Sequence, residues 1–212
     1  MLELGVKTLI AYLLGSVIGS LLLGSLRGVD IREQGSGNAG GTNALRTQGW
    51  KFALGVVVID VGKAILAVGV IPGLDLPLIG IDASVARDWL SAACAAAVVV
   101  GHVYPVWYEF RGGKGAATLI GAVAMLAPAA LVPVVVVWLA SVMLTGYVGL
   151  GTVLGTATLP VYFAATGAGG EALLAFGVLM AAFVVYTHRS NIERMRKGNE
   201  NRARRLWLLR PR

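Results

Sequence analysis

Three polar segments interrupt an otherwise apolar chain, and each carries residues suited to holding or moving negative charge. The first is Gly35-Ser36-Gly37-Asn38-Ala39-Gly40-Gly41-Thr42-Asn43-Ala44-Leu45-Arg46. Closely spaced glycines let the backbone turn tightly and aim successive N–H groups at an anion. Ser36, Asn38, Thr42 and Asn43 add neutral donors, and Arg46 adds a fork matched to phosphate oxygens. The same residue types also build ordinary flexible turns, so this segment alone leaves both readings open.

The second segment is Gly101-His102-Val103-Tyr104-Pro105, followed by Phe110-Arg111-Gly112-Gly113-Lys114-Gly115. It is no nucleotide-binding P-loop, because Gly115 follows Lys114 where that motif needs Ser or Thr. Lys114 among three glycines at a helix start can still ground a phosphate; as a lone lysine at a span end it could equally be an interfacial anchor. The third segment is Thr187-His188-Arg189-Ser190-Asn191-Ile192-Glu193-Arg194 with Gly198-Asn199-Glu200. On a continuing helix His188, Asn191 and Arg194 fall at successive i, i+3 positions of one face. Within an apolar run, Asp60 and Lys63 share the same spacing. Ionisable groups at membrane depth are costly, so they pair structurally or serve a ligand, Lys63 reaching it and Asp60 orienting it.

These segments must be positioned by membrane spans. The chain has 212 residues, 57% hydrophobic and only 14% charged, with mean hydropathy +0.76. A soluble domain carries about 25% charged residues. Apolar stretches near 4–24, 52–72, 87–106, 115–127, 129–145, 149–165 and 172–187 predict an all-α integral membrane protein of about seven transmembrane helices, some short, forming a single polytopic domain over 1–212. Pro128 and Pro133 mark a turn that splits 116–148 in two. The net charge of +7 concentrates in the run from Arg189 to Arg212. Arg32, Arg46, Arg111 and Lys114 lie in the first and third loops, whereas Asp75, Asp82, Asp88 and Glu171 lie in loops of the other side. The positive-inside bias then sets the N-terminus outside, with the C-terminus and the Gly-rich loops cytoplasmic. The N-terminal run lacks a cleavage site and reads as a retained first span. No aromatic-basic platform or helix-turn-helix accompanies the basic tail, so nucleic acid is not an expected partner. The single Cys94, in an Ala/Val-rich run, behaves as a small hydrophobe, and no ligand cluster suggests a metal or cofactor.

Taken together, the motifs resemble those of the bacterial acyl-phosphate:glycerol-3-phosphate acyltransferase (PlsY) family. The matching residues are Gly-Ser-Gly-Asn-x-Gly-x-Thr-Asn-x-x-Arg at 35–46, Asp-x-x-Lys at 60–63 and Gly-His-x-x-Pro at 101–105. Phe-x-Gly-Gly-Lys-Gly-x-Ala-Thr at 110–118 and His-x-x-Asn-Ile-x-Arg at 188–194 complete the set, in order over nearly the whole chain. The sequence departs at Gly149, where the family usually has Ser, with Thr145 or Thr152 as alternative hydroxyls. Gly41 and Ala64 stand where the family often has Ala and Gly.

The resemblance implies a fatty acyl transfer from acyl phosphate to glycerol 3-phosphate at the inner membrane. Lysophosphatidic acid and inorganic phosphate result, as the first step of phospholipid synthesis. His188, Lys114, Ser36 and Asn191 are then the expected catalytic residues. Gly37, Asn38, Gly40, Thr42, Asn43, Arg46, Lys63, Gly112, Gly113 and Arg194 are expected to bind substrate phosphates. Two phosphates repel, so cationic and N–H donors would have to converge on them. Either His188, with an unperturbed pKa near 6.5, or the departing phosphate takes the hydroxyl proton. A soluble acyl-phosphate-forming enzyme could dock transiently on Arg111 and the basic tail. The competing class is a small transporter of an anionic metabolite, for which broken helices and intramembrane Asp60 and Lys63 also fit. Transporter sites usually lie near the midplane, however, and the polar segments here gather on one face.

Overall fold

The structure, a computed structural model, describes residues 1–209; residues 210–212 of the basic run and of the expected 1–212 domain lie outside the described residues. The chain divides into two units, Met1–Leu126 and Ala127–Arg212. The first contains α1 (Leu2–Gly15), α2 (Gly19–Ser25), α3 (Gly41–Gln48), α4 (Trp50–Gly69), α5 (Arg87–Val103) and α6 (Ala116–Leu126). The second contains α7 (Leu131–Thr145), α8 (Val148–Thr166), α9 (Gly170–Thr187) and α10 (Arg189–Arg196).

Five stretches among the described residues are long and apolar enough to cross a membrane, built on α4, α5, α7, α8 and α9, and the bent pair α1–α2 adds a sixth. At 1.5 Å per residue the 11 residues of α6 span about 16 Å, short of the roughly 30 Å hydrocarbon core. Val57, Val58, Leu66, Val136, Leu139, Val161 and Leu179 are exposed. On a soluble surface such patches would invite aggregation, whereas on these helices they face acyl chains.

The apolar run 4–24 is not one straight helix, since α1 and α2 meet at 48°. Ile18 takes up extended backbone at the break, which frees main-chain groups at a depth where water cannot satisfy them. The partners come from α4, braced by a side chain of α5. Lys63 Nζ donates to the carbonyls of Gly15 at 2.8 Å and Val17 at 2.7 Å. Asp60 Oδ1 accepts from Gly19 N–H at 3.1 Å and lies 3.1 Å from Lys63 Nζ. His102 Nδ1 closes the group, 2.9 Å from Lys63 Nζ and 3.4 Å from Asp60 Oδ1. All three side chains are buried. α1 and α5 pack at backbone distance, because a Cβ on Gly15 would run into Val98 and one on Gly101 into Tyr12.

A second buried ionic group joins the start of α1 to the start of α5. Glu3 receives Lys7 Nζ at 2.6 Å and both Arg87 terminal nitrogens at 2.7 Å, while Lys7 also donates to Pro72 O at 2.9 Å. In the second unit α8 packs between α7 and α9. Gly146, in the left-handed region at φ +78°, ends α7. α9 gives way at His188 to the polar helix α10.

Candidate active site

Within the first unit the two Gly-rich segments are built onto one another. Residues 30–34 are fixed by Asp30, which caps the following turn through Arg32 N–H at 2.8 Å and pairs with the Arg32 guanidinium at 2.7 Å. That guanidinium holds the Asp30 carboxyl below its usual range. It also donates to Tyr108 O at 3.3 Å, tying the first loop to the second. Ala39, fully buried, packs with Ile18 and Leu21.

Asn43 organises the loop. Its Oδ1 accepts from Ser36 N–H at 2.9 Å, and its Nδ2 donates to Ile31 O at 3.2 Å and Gln34 O at 2.9 Å. Gly35 sits against that amide at φ +58°, where a Cβ would collide with Asn43 Oδ1. Ser36, Gly37, Thr42 and Arg46 stay exposed, with Asn38 and Gly40 half-buried. The first intrahelical bond of α3 runs from Ala44 N–H to Gly40 O at 3.0 Å. The N–H groups of Gly41, Thr42 and Asn43 therefore precede it, at the positive end of the helix.

The second loop has the same construction. Gly112 N–H donates to Val103 O at 3.1 Å and Gly113 N–H to His102 O at 3.0 Å. A Cβ on Gly113 would strike the His102 ring and lie 3.0 Å from Ala39 O. Gly113 is thus the point where the second loop meets both the first loop and the Asp60–Lys63–His102 group. Half-buried Lys114 follows, just before α6, whose first bond is Leu119 N–H to Gly115 O at 2.8 Å. Two helix N-termini and Lys114 make this end of the unit suited to phosphate, and Arg46 lies in the last turn of α3.

Two residues from the expected phosphate-binding set are placed differently from the others. Lys63 is 4% exposed, and its three ammonium protons face two carbonyls, Asp60 and His102. Asn43 is 2% exposed and spends its amide on the loop backbone. Both hold other groups in place.

The third motif lies in the second unit. His188 Nδ1 is 2.9 Å from Val184 O, the carbonyl one turn back. A carbonyl accepts only, so Nδ1 carries a proton, and whenever the ring is neutral Nε2 is its acceptor nitrogen. A backbone carbonyl therefore orients the ring. Asn191 Nδ2 donates to Glu200 Oε1 at 2.8 Å, and Arg194 Nε donates to Glu200 Oε2 at 2.6 Å. One carboxylate, whose side chain is 7% exposed, thus fixes two expected site residues. Glu200 was absent from the expected site; its position after Gly198, on a chain that turns back along α10, was the available signal. Gly149, on α8, lies directly against Asn191: a Cβ there would stand 2.9 Å from Asn191 Nδ2 and 3.0 Å from Asn191 Cγ.

Residues 6–198 match the family model for glycerol-3-phosphate acyltransferase. Among curated relatives, the glycerol-3-phosphate acyltransferase of Chlorobaculum parvum is 38% identical over 216 residues, covering 91% of this chain and 93% of the relative. That of Desulforudis audaxviator is 40% identical over 199 residues, covering 91% and 92%. The fold is similar to the crystal structure of PlsY, an integral membrane glycerol 3-phosphate acyltransferase, in its glycerol 3-phosphate form. The TM-score is 0.80 and the identity 33%, over 94% of each chain. The lysophosphatidic acid form of that protein gives 0.78 and 32%, again over 94% of each chain.

Proposed function

The chain belongs to the glycerol-3-phosphate acyltransferase family, and on that premise we propose that it acylates glycerol 3-phosphate from acyl phosphate in the bacterial inner membrane. A hydroxyl oxygen of glycerol 3-phosphate attacks the acyl carbonyl carbon. The carbonyl–phosphate C–O bond breaks, and inorganic phosphate departs with the donor's oxygen, leaving lysophosphatidic acid. As an enzyme of this family, the chain is no longer a candidate transporter.

The carrying observation is the junction at Gly113, which joins two Gly-rich turns, two helix N-termini and Lys114 at one end of the first unit. It supports assigning Ser36, Asn38, Thr42 and Lys114 to the donor phosphate, where donors aimed at the growing charge lower the barrier. Gly37, Gly40, Gly112 and Gly113, whose N–H groups already donate within the loops, shape the turns that carry them. In this reading Arg46, Asn191 and Arg194 bind the glycerol 3-phosphate side. Lys63 and Asn43 position the loops. His188, its Nδ1 engaged by Val184 O, presents Nε2 to the attacking hydroxyl, and the proton ends on the departing phosphate.

The same reading takes α6 as a short seventh span, with the N-terminus outside and the polar loops cytoplasmic. Arg27 stacks on Phe52 at 4.9 Å, Lys51 on Trp50 at 5.7 Å and Arg189 on Tyr186 at 4.3 Å. Such aromatic-basic pairs suit an interface, and each lies at a helix end assigned here to the cytoplasmic side. Donor delivery by a soluble acyl-phosphate-forming enzyme, with exposed Arg111 as one contact, belongs to the same proposal.

The test is phosphate release by the full chain in lipid, with palmitoyl phosphate and glycerol 3-phosphate. Release should need both substrates and fall about 10²-fold or more in Lys114→Ala at an unchanged melting temperature. Release without glycerol 3-phosphate, or a Lys114→Ala enzyme of full activity, would overturn this assignment.

A further inference from the structure

The family match ends at residue 198, yet the described chain continues to residue 209, and the added residues fold back onto the second unit. Ala203 N–H donates to Gly146 O at 2.7 Å and Leu208 N–H to Met143 O at 2.9 Å. The Trp207 indole donates to Leu144 O at 3.1 Å. Between them Arg202 lies over two rings, 4.5 Å from the Tyr147 centroid and 4.1 Å from that of Trp207. The tail thereby supplies donors to the last carbonyls of α7, which a helix cannot satisfy itself.

Because α7 is a spanning helix, these bonds fix the depth of the tail. Residues 207 and 208 lie level with its last turn, and the end of a spanning helix is where hydrocarbon gives way to headgroups. There the tail exposes two kinds of side chain. Leu206, Leu208 and Leu209 are 45%, 67% and 65% exposed, and Arg204 and Arg205 are exposed beside them. Residues 201–209 include no Asp or Glu, and the adjacent Glu200 is already bonded to Asn191 and Arg194.

We propose that residues 202–209 form a strap that binds anionic phospholipid headgroups at the membrane face where α7 ends. A soluble acidic partner would match the arginines but leave three leucines exposed at hydrocarbon depth. An anionic lipid matches both, its acyl chain against the leucines and its phosphate against Arg204 and Arg205. The inference depends on the membrane-spanning fold and not on the acyl-transfer chemistry, so a failed acyltransferase assay would leave it standing.

The experiment is lipid retention by the full chain in detergent, titrated with phosphatidylglycerol or phosphatidylcholine and read by native mass spectrometry. The Arg204→Gln/Arg205→Gln variant is compared with the parent, with unfolding followed in parallel. Phosphatidylglycerol affinity should fall about fivefold per arginine, with phosphatidylcholine retention and melting temperature unchanged. In the parent, phosphatidylglycerol retention should weaken as salt rises, a measurement that stands even if the double variant folds poorly. Equal retention of the two lipids, or salt-independent binding, would overturn the proposal. So would a variant that keeps its lipid and slows only the reaction coupled to a soluble acyl-phosphate-forming enzyme, which would make the strap a protein-docking surface.

Discussion

Two ionic groups, one inside each unit, use similar side chains for different ends. Asp60, Lys63 and His102 are buried within the membrane-spanning part of the first unit and spend their hydrogen bonds on each other and on the broken main chain between α1 and α2. Glu200 sits at the polar end of the second unit and spends its two oxygens on Asn191 and Arg194. The first group makes a backbone conformation affordable in lipid. The second fixes the side chains of residues that meet substrate in the proposed reaction. Identical chemistry, an anion accepting from cations and N–H groups, builds architecture where the group's remaining bonds go to main chain. It builds a site where what it touches still has donors to offer.

The contrast can be broken at three places. Lys63→Met should have the largest effect: it leaves Asp60 charged and buried and two carbonyls without a donor, a loss of about 3–5 kcal/mol. Thermal unfolding in detergent should show a large drop in midpoint. A Lys63→Met protein that melts normally but loses turnover would move Lys63 into the binding site and erase the contrast. Glu200→Gln comes next. It keeps the shape and removes a charge-assisted bond to Arg194, so turnover should fall about tenfold with a smaller change in midpoint. If stability falls and the surviving fraction keeps full turnover, the second group is architectural as well. The smallest effect is expected at Gly149→Ala. The new Cβ would stand 2.9 Å from Asn191 Nδ2, forcing that amide to shift by a few tenths of an ångström. Turnover should drop about fivefold with stability preserved; an unchanged rate would show that Asn191 tolerates the displacement.

How far the sequence reveals these arrangements depends on where their partners lie. The spans built on α4, α5, α7, α8 and α9 follow from apolar length, and the family follows from five ordered motifs. The break at residues 16–18 was hidden inside an apolar run with no proline, because its cause lies in Asp60 and Lys63, more than 40 positions away. The roles of Asn43 and Glu200 were hidden similarly: an amide that braces a loop has the same spelling as one that binds phosphate. Lys63 illustrates the reverse case. Its i, i+3 partner was visible, but the two carbonyls that occupy its remaining protons lie at the distant break between α1 and α2. The buried Glu3–Lys7 pair carried its own signal, an i, i+4 spacing across the start of the first apolar stretch, and Arg87 completes it from a distant helix start.

The break between α1 and α2 also bears on how the protein is made. Lys63 lies 48 residues after Gly15, so the first apolar segment is synthesised before the side chain that donates to its freed carbonyls. An isolated segment in lipid keeps its backbone bonds to itself, as one uninterrupted helix. The 48° bend therefore has its side-chain donors only once α4 stands beside it.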